Sequence, residues 1–392
     1  MLKQIASFIG ASLLSTSILA APGIYKNLSV EKVSYRNLPS WQRNNTKKSF
    51  YAFKRSCQMF LKAPSKKIVG TNAFPITVKQ WRPVCKAAMK IKKPTAYSTR
   101  RFFEQWFQPV ALNDNGSNKG FFTGYYLPKI PVSYKCNKQY SVPIYAKPSD
   151  LVTAKLGAFK MALKGKKIAG KVVNGVLYPY NMSRTQINRG GLKKKAKVLV
   201  CTKHRADRFF LQTQGSGIGI LPNKKEVLLA YNGDNGGRYY PIGRWFLKHR
   251  LVTRNKLSMQ SIYNWLIKNP KQGRKIMQMN QGFVFFRLLK SSDPFGTQHV
   301  PLTSGYSLAV DNNVVPLGFP TWLSTYVPNP KNTSYSIPFT RLLIAQDTGG
   351  AIKGIIRGDI YFGSGKKAAL QAGGMKQKGK LWLLIPKTYT LK

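Results

Sequence analysis

Toward the C-terminus the chain reads Leu343-Ile344-Ala345-Gln346-Asp347-Thr348-Gly349-Gly350-Ala351-Ile352-Lys353-Gly354 and, shortly after, Arg357-Gly358-Asp359-Ile360-Tyr361-Phe362-Gly363. Each block is a short apolar or aromatic run with an aspartate at one end and glycine beside it, the pattern of a strand meeting a turn. A third aspartate, Asp311, ends Leu308-Ala309-Val310 and precedes Asn312-Asn313. Catalytic groups tend to sit at strand ends. For any one of the three, position alone favours the plainer role of capping a turn.

The same texture extends back to about residue 120. Strands are predicted near 120–127, 140–146, 209–214, 226–231, 283–288, 307–310, 341–347, 359–362 and 381–385. One helix, about 258–268, carries Met259, Ile262, Trp265 and Leu266 on one face. Many short strands, long loops and no regular strand–helix alternation predict barrels rather than a doubly wound sheet. The lysine runs Gly165-Lys166-Lys167 and Lys193-Lys194-Lys195 are expected in exposed loops. Before Asn113-Asp114-Asn115-Gly116 the chain reads as mainly helical. Phe50, Phe53, Cys57, Phe60 and Leu61 recur at helical spacing over 47–62, and Val78, Trp81, Cys85, Ala88 and Met89 over 78–89, where Pro83 requires an early position. A third helix is expected over 98–107 with Ser98 or Thr99 as its N-cap.

At 392 residues the chain exceeds what one core usually supports, so two domains are expected; 43% apolar and 12% aromatic residues exclude disorder. Met1-Leu2-Lys3, an uncharged run from Ile5 to Leu19 and Ala20-Ala21-Pro22 read as a signal peptide over 1–20, making the chain exported. No cysteine precedes Cys57, so no lipid anchor is expected. Cys57, Cys85, Cys136 and Cys201 predict two disulfides in an oxidising compartment. Of three connectivities, Cys57–Cys85 is favoured because both lie on N-terminal helical patterns, which leaves Cys136–Cys201. Sixty-five Lys and Arg against 11 Asp and Glu give a net charge of +54, so polyanions are the expected partners. No nucleic-acid module accompanies the charge, and no specific nucleic-acid partner is expected.

The acids are few enough to name: Glu31, Glu104, Asp114, Asp150, Asp207, Glu226, Asp234, Asp293, Asp311, Asp347 and Asp359. Other motif readings fail. Gly215-Ser216-Gly217-Ile218-Gly219 lacks the third glycine and following helix of a dinucleotide loop, and Ser216 is not in a nucleophile elbow. Cys201-x-x-His204 lacks further ligands, so neither metal nor cofactor is expected.

Taken in order, the C-terminal blocks around Asp311, Asp347 and Asp359 resemble the three-aspartate, or 3D, domain, a double-psi β-barrel. Upstream, Phe122-Thr123-Gly124-Tyr125-Tyr126, Gln212-Thr213-Gln214-Gly215-Ser216-Gly217, Asn280-Gln281-Gly282-Phe283-Val284-Phe285-Phe286 and Val300-Pro301-Leu302-Thr303 resemble the MltA-type lytic murein transglycosylases. The likeness covers roughly residues 120 to 390. It implies a mainly β protein with N-terminal helices, in which a double-psi barrel and a second, inserted β-barrel-like domain flank a groove for peptidoglycan glycan strands. The expected division is 21–126 and 282–392 for the helical part and barrel, and 127–281 for the insert. The implied reaction cleaves the β-1,4 MurNAc–GlcNAc bond and leaves a 1,6-anhydro ring.

The same resemblance assigns the catalytic acid to Asp359. Because the nucleophile is the sugar's own C6 hydroxyl, one carboxyl suffices as acid and then base, where glycosidases that use water normally need two. An acid near neutral pH requires a raised pKa. Burial and the like charges of Asp347 and Asp311 favour that, and the positive net charge opposes it. Asp347 and Asp311 are expected to position loops or bind sugar, and Thr123, Tyr125, Gln214 and Ser216 to contact substrate. Tyr125 and Tyr126 stack on sugar or belong to a core. Gly349, Gly350 and Gly354 admit close backbone approach or make turns. Lys353 binds substrate, helps the developing negative charge, or is an ordinary surface lysine. The expected setting is the periplasm or outer-membrane periphery, as a monomer, with electrostatic adhesion to anionic envelope surfaces in place of an anchor. The rival reading is a non-catalytic wall-binding or wall-loosening protein, since fold alone does not imply cleavage.

Overall fold

The computed structural model describes residues 26–390 apart from 161–162, 164–165, 254–255, 290–293 and 333. The expected signal peptide and Asp293 lie outside the described residues. The chain opens with β1 (Leu28–Lys32), which pairs antiparallel with β2 (Phe107–Asp114). Between them lie α1 (Lys47–Lys62), α2 (Val78–Lys90) and α3 (Ala96–Trp106). The buried faces of α1 and α2 are the ones their periodicity predicts: Phe50, Phe53, Cys57 and Phe60, and Trp81, Val84 and Cys85. Phe60 stacks on Trp81 with centroids 4.7 Å apart, and the Cys57–Cys85 disulfide joins the two helices. Pro83 sits in the second turn of α2. The third helix starts earlier than expected. Thr95 is its cap, and Ser98 occupies the third helical position, where its hydroxyl reaches back to the Thr95 N–H.

Next come β3 (Gly120–Leu127), β4 (Lys129–Ser133), β5 (Val142–Tyr145), β6 (Val152–Lys155), β7 (Lys167–Val173), β8 (Val176–Pro179), α4 (Arg184–Asn188), β9 (Val198–Thr202), α5 (Arg205–Gln214), β10 (Gly217–Ile220) and β11 (Glu226–Asp234). The chain continues through α6 (Gly243–Lys248), α7 (Met259–Lys268), α8 (Pro270–Gln278), β12 (Val284–Leu289), β13 (Ser307–Val310), β14 (Pro320–Pro328), β15 (Ser336–Asp347), β16 (Arg357–Ser364), α9 (Gly365–Gly374) and β17 (Lys376–Pro386). Residues 209–214 are not a strand but the second half of α5. Read from His204, the pattern Ala206, Phe209, Phe210 has helical period; Asp207 closes a capping box and Gly215, at φ +81, ends the helix. Lys167 opens a strand rather than lying in a loop, whereas Lys193–Lys195 are in turns.

Strands β17, β14, β15, β13, β16 and β3 form a closed ring, because β3 pairs with both β16 and β17. The β13–β15 and β3–β16 pairs are parallel. Phe122, Leu308, Leu343, Ile360 and Leu383 belong to one continuous core shared by this barrel and α1–α3. A second six-stranded sheet runs β12-β11-β10-β4-β9-β5, and a bridge from Ala146 to Phe286 brings its two ends together. The Cys136–Cys201 disulfide pins its β4–β5 connection to β9. Since β12 belongs to this sheet, the sheet runs to Leu289, past the return to the barrel expected at Gln281. A helical cluster of α5–α8 and the small sheet β6-β7-β8 flank it. The two large β bodies meet through a small apolar patch: Tyr361, Leu127 and Leu302 on one side, Ile218 and Leu228 on the other.

Candidate active site

Strand register places the predicted acids. Ala309 on β13 pairs with Asp359 on one side and Asp347 on the other, and Thr123 on β3 pairs with Asp359. Directly paired residues share a face, so Thr123, Asp359, Ala309 and Asp347 form one row across four adjacent strands. The two aspartate Cα atoms lie two strand spacings apart, about 10 Å. Alternate residues Phe122, Leu308 and Ile360 are fully buried, while Thr123, Asp347 and Asp359 are half-buried. The row therefore lies on the outer barrel surface, beside the junction with the second sheet. A bulge in β15 helps: Leu308 pairs with Ala345 but Ala309 with Asp347. The skipped Gln346 turns inward, where it bonds Ala52 O, Ser56 and Ser307.

The two carboxylates are held differently. Asp359 Oδ1 accepts from Thr123 Oγ1 at 2.7 Å, and Thr123 Oγ1 accepts from Arg357 Nη2 at 2.8 Å. Asp347 Oδ1 accepts from Thr297 N, Thr297 Oγ1 and Thr348 N, each at 2.9 Å, and its Oδ2 accepts from Tyr125 OH at 2.9 Å. Burial lifts both acids above the usual carboxylate range, opposed at Asp347 by its donors. For Asp359 burial dominates, Asp347 adds to it, and Thr123 and Arg357 oppose it; the result is pushed up to about 6. A carboxyl with one hydrogen-bond donor among the described residues and a raised pKa is suited to hold and release a proton, and one gripped by four donors is suited to hold geometry.

The remaining predicted residues divide. Tyr125 packs against Tyr361 at 5.2 Å and turns its hydroxyl to Asp347, so it is fixed inside the junction rather than offered as a stacking platform. Gln214 accepts from Tyr126 N at 3.2 Å and donates to Met259 Sδ, tying β3 to α5 and α7. Ser216 accepts from Tyr231 N on the second sheet. Asp311 is 1% exposed; it accepts from Asn313 N, Asn313 Nδ2 and Gly354 N, so it clamps two loops. Lys353 lies over that clamp, Nζ 3.6 Å from Asp311, so its ion pair is with Asp311 rather than with Asp359. Gly349 and Gly350 lie in the turn after β15, but the positive φ, +130°, belongs to Gly354.

Three residues that hold the acids or the upstream motifs in place escaped sequence reasoning. Arg357 shares a strand face with Asp359 by its two-residue spacing, a signal present in the sequence. Thr297 arrives from a distant loop and had none. Arg184 is 2% exposed and donates to Asn280 O at 2.7 Å, Gln212 Oε1 at 2.5 Å and Gly282 O. It also lies over the rings of Phe209 and Phe283, and so staples together the two upstream motifs around Gln212 and Asn280. Among the described residues no cluster of three or more His, Cys, Asp or Glu converges as a metal site.

A family model for the MltA specific insert domain matches residues 121–287, and one for the 3D domain matches residues 306–385. Membrane-bound lytic murein transglycosylase A of Vibrio cholerae is 29% identical over 67% of this chain and 64% of its own length, so the match spans less than two thirds of that relative. The crystal structure of membrane-bound lytic murein transglycosylase from Agrobacterium tumefaciens superposes with a TM-score of 0.79 at 28% identity, covering 91% of this chain and 98% of that one. Lytic transglycosylase LtgG of Burkholderia pseudomallei is 31% identical over 96% of this chain and 99% of that one, with a TM-score of 0.58. No helix among the described residues is long and apolar enough to cross a membrane.

Proposed function

The chain belongs to the MltA family with a C-terminal 3D domain, and from that premise we propose that it is a lytic transglycosylase of peptidoglycan. The glycan strand lies along the junction between barrel and insert, with the scissile β-1,4 bond between MurNAc and GlcNAc over the Thr123–Asp347 row. Protonated Asp359 gives its proton to the glycosidic oxygen as the C1–O bond breaks. The resulting carboxylate takes the proton of the C6 hydroxyl while that oxygen closes on C1, which leaves a 1,6-anhydro ring and restores the acid. No water is consumed and no second carboxylate activates one.

The observation that carries this reading is Asp359 itself, half-buried, bonded to Thr123 and lifted to about 6. In this reading Asp347 fixes Tyr125 and Thr297 and supplies negative charge toward the oxocarbenium-like transition state. Thr123, Gln214, Ser216 and the Gly349–Gly350 turn contact sugar, and Asp311 with Lys353 holds the neighbouring loops. The chain acts as an exported monomer in the periplasm, its +54 charge drawing it to stem-peptide carboxylates and lipid phosphates. Mass spectrometry of fragments released from purified sacculi tests the chemistry. Anhydromuramyl ends from the wild type and none from Asp359→Asn are expected. Hydrated reducing ends would mean a hydrolase, and binding without release would mean a wall-binding protein.

A further inference from the structure

Among the described residues the β6–β8 sheet pairs with neither large sheet and has two open edges. Its base is fixed: Lys167 Nζ donates to Tyr231 OH at 2.6 Å and to Asp234 Oδ2 at 2.9 Å, and Ala169 packs on the cluster containing Tyr180 and Phe283. Its tip is an Asn174-Gly175 turn with φ of 49° and 78°, the backbone of a tight primed hairpin. The register sets Val173 against Val176, Val172 against Leu177 and Lys171 against Tyr178. Ile168 and Val172 therefore share one face of the hairpin, Val173, Val176 and Tyr178 the other, and all five are exposed, Val172 and Val176 by more than half.

Protruding β-branched side chains on both faces of an open-edged hairpin are an aggregation liability unless something covers them. The surrounding charge selects what does. Between Val152 and Pro179 the sequence contains no Asp or Glu; Lys171 is exposed opposite Tyr178 near the tip, and Lys155 and Lys166 are exposed at the base beside Lys167. An aliphatic tip with a tyrosine and lysines set back from it matches the layering of a bilayer surface, acyl chains first, then headgroups and anionic phosphates. A glycan strand would instead be met by polar and aromatic side chains. We propose that the β7–β8 hairpin is a membrane-docking element that inserts its valine tip into an anionic lipid surface.

Flotation of the purified chain with phosphatidylcholine–phosphatidylglycerol vesicles tests this independently of any glycan cleavage. Wild type should float with the anionic vesicles, and Val172→Asp/Val176→Asp should reduce its partition by at least about tenfold, given what burying two valines contributes. The milder Val172→Ser/Val176→Ser pair should lie between, and unchanged melting of both variants separates docking from folding. Failure of wild type to float, or variants that float equally well through charge alone, would overturn the proposal. So would light scattering that showed a wild-type dimer lost in the variants, which would assign the tip to a second copy of the chain.

Discussion

Replacing Asp359 with Asn keeps the oxygen that accepts from Thr123 and removes only the titratable charge. Burial raises this carboxyl from 3.8 to about 6, which at about 1.4 kcal/mol per unit means that the ionised form costs the folded state about 3 kcal/mol at neutral pH. The side chain is partly open to solvent, so screening trims the effect to about 1–3 kcal/mol. Folded Asp359 keeps its proton up to about pH 6, whereas the unfolded chain loses it near 3.8. Wild-type stability from this group is therefore full below the lower value, declines as pH rises through that window and is flat above it. Asp359→Asn should be more stable than wild type at pH 7, and the difference should shrink toward pH 4 while activity is lost at both. Denaturant melts of the two proteins at several pH values measure it. A stability difference that does not change with pH, or one that grows toward acid, would refute the desolvation argument.

If protonated Asp359 starts the reaction, kcat/KM on soluble glycan should fall about tenfold per unit above pH about 6, with one titrating group; a flat profile to pH 8 would count against it. Tyr125→Phe keeps the packing on Tyr361 but removes a donor from Asp347, and should cost about 1.5 kcal/mol of stability with a lower kcat, read from melts beside a rate assay. Arg184→Met leaves Asn280 O, Gly282 O and Gln212 without their shared donor and should destabilise by about 3 kcal/mol, measured by urea unfolding.

Elements whose own side chains decide them were legible. The faces of α1 and α2 followed from one buried stripe each, and β13 matched residue for residue because Leu308, Ala309 and Val310 are bracketed by turns. Where local pattern and context disagreed, context won. Phe209–Gln214 looks like a strand in a short window, and only the His204–Asp207 cap, lying outside it, reveals a helix. Strands β6–β8 were missed because the alternation that marks a strand comes from one buried face, and this sheet is exposed on both sides at its tip. In the site, Asp347 stands at the strand end where its sequence pattern put it, whereas Asp359, expected to open a strand, is the third residue of β16, and Thr297 reaches Asp347 only through the path of a loop, which no local pattern encodes.

The division of labour between the aspartates follows from the same register. Asp359 lies between Ala309 on β13 and Thr123 on β3, and the methyl of Ala309 carries no donor, so the side-chain donor to Asp359 from its paired neighbours is the threonine. Asp347 stands at the end of β15, where the strand turns, and backbone N–H groups and hydroxyls from two loops converge on it. Burial acts on both, but hydrogen bonds that favour the ionised form accumulate only at the strand end. Two chemically identical side chains on one row are thus driven apart by position: the mid-strand acid keeps its proton up to about pH 6, and the strand-end acid holds the loops that frame it. Exchanging the roles would require moving donors along the strand, not changing the residue type, which is why an aspartate at each position says less than the register that sets them there.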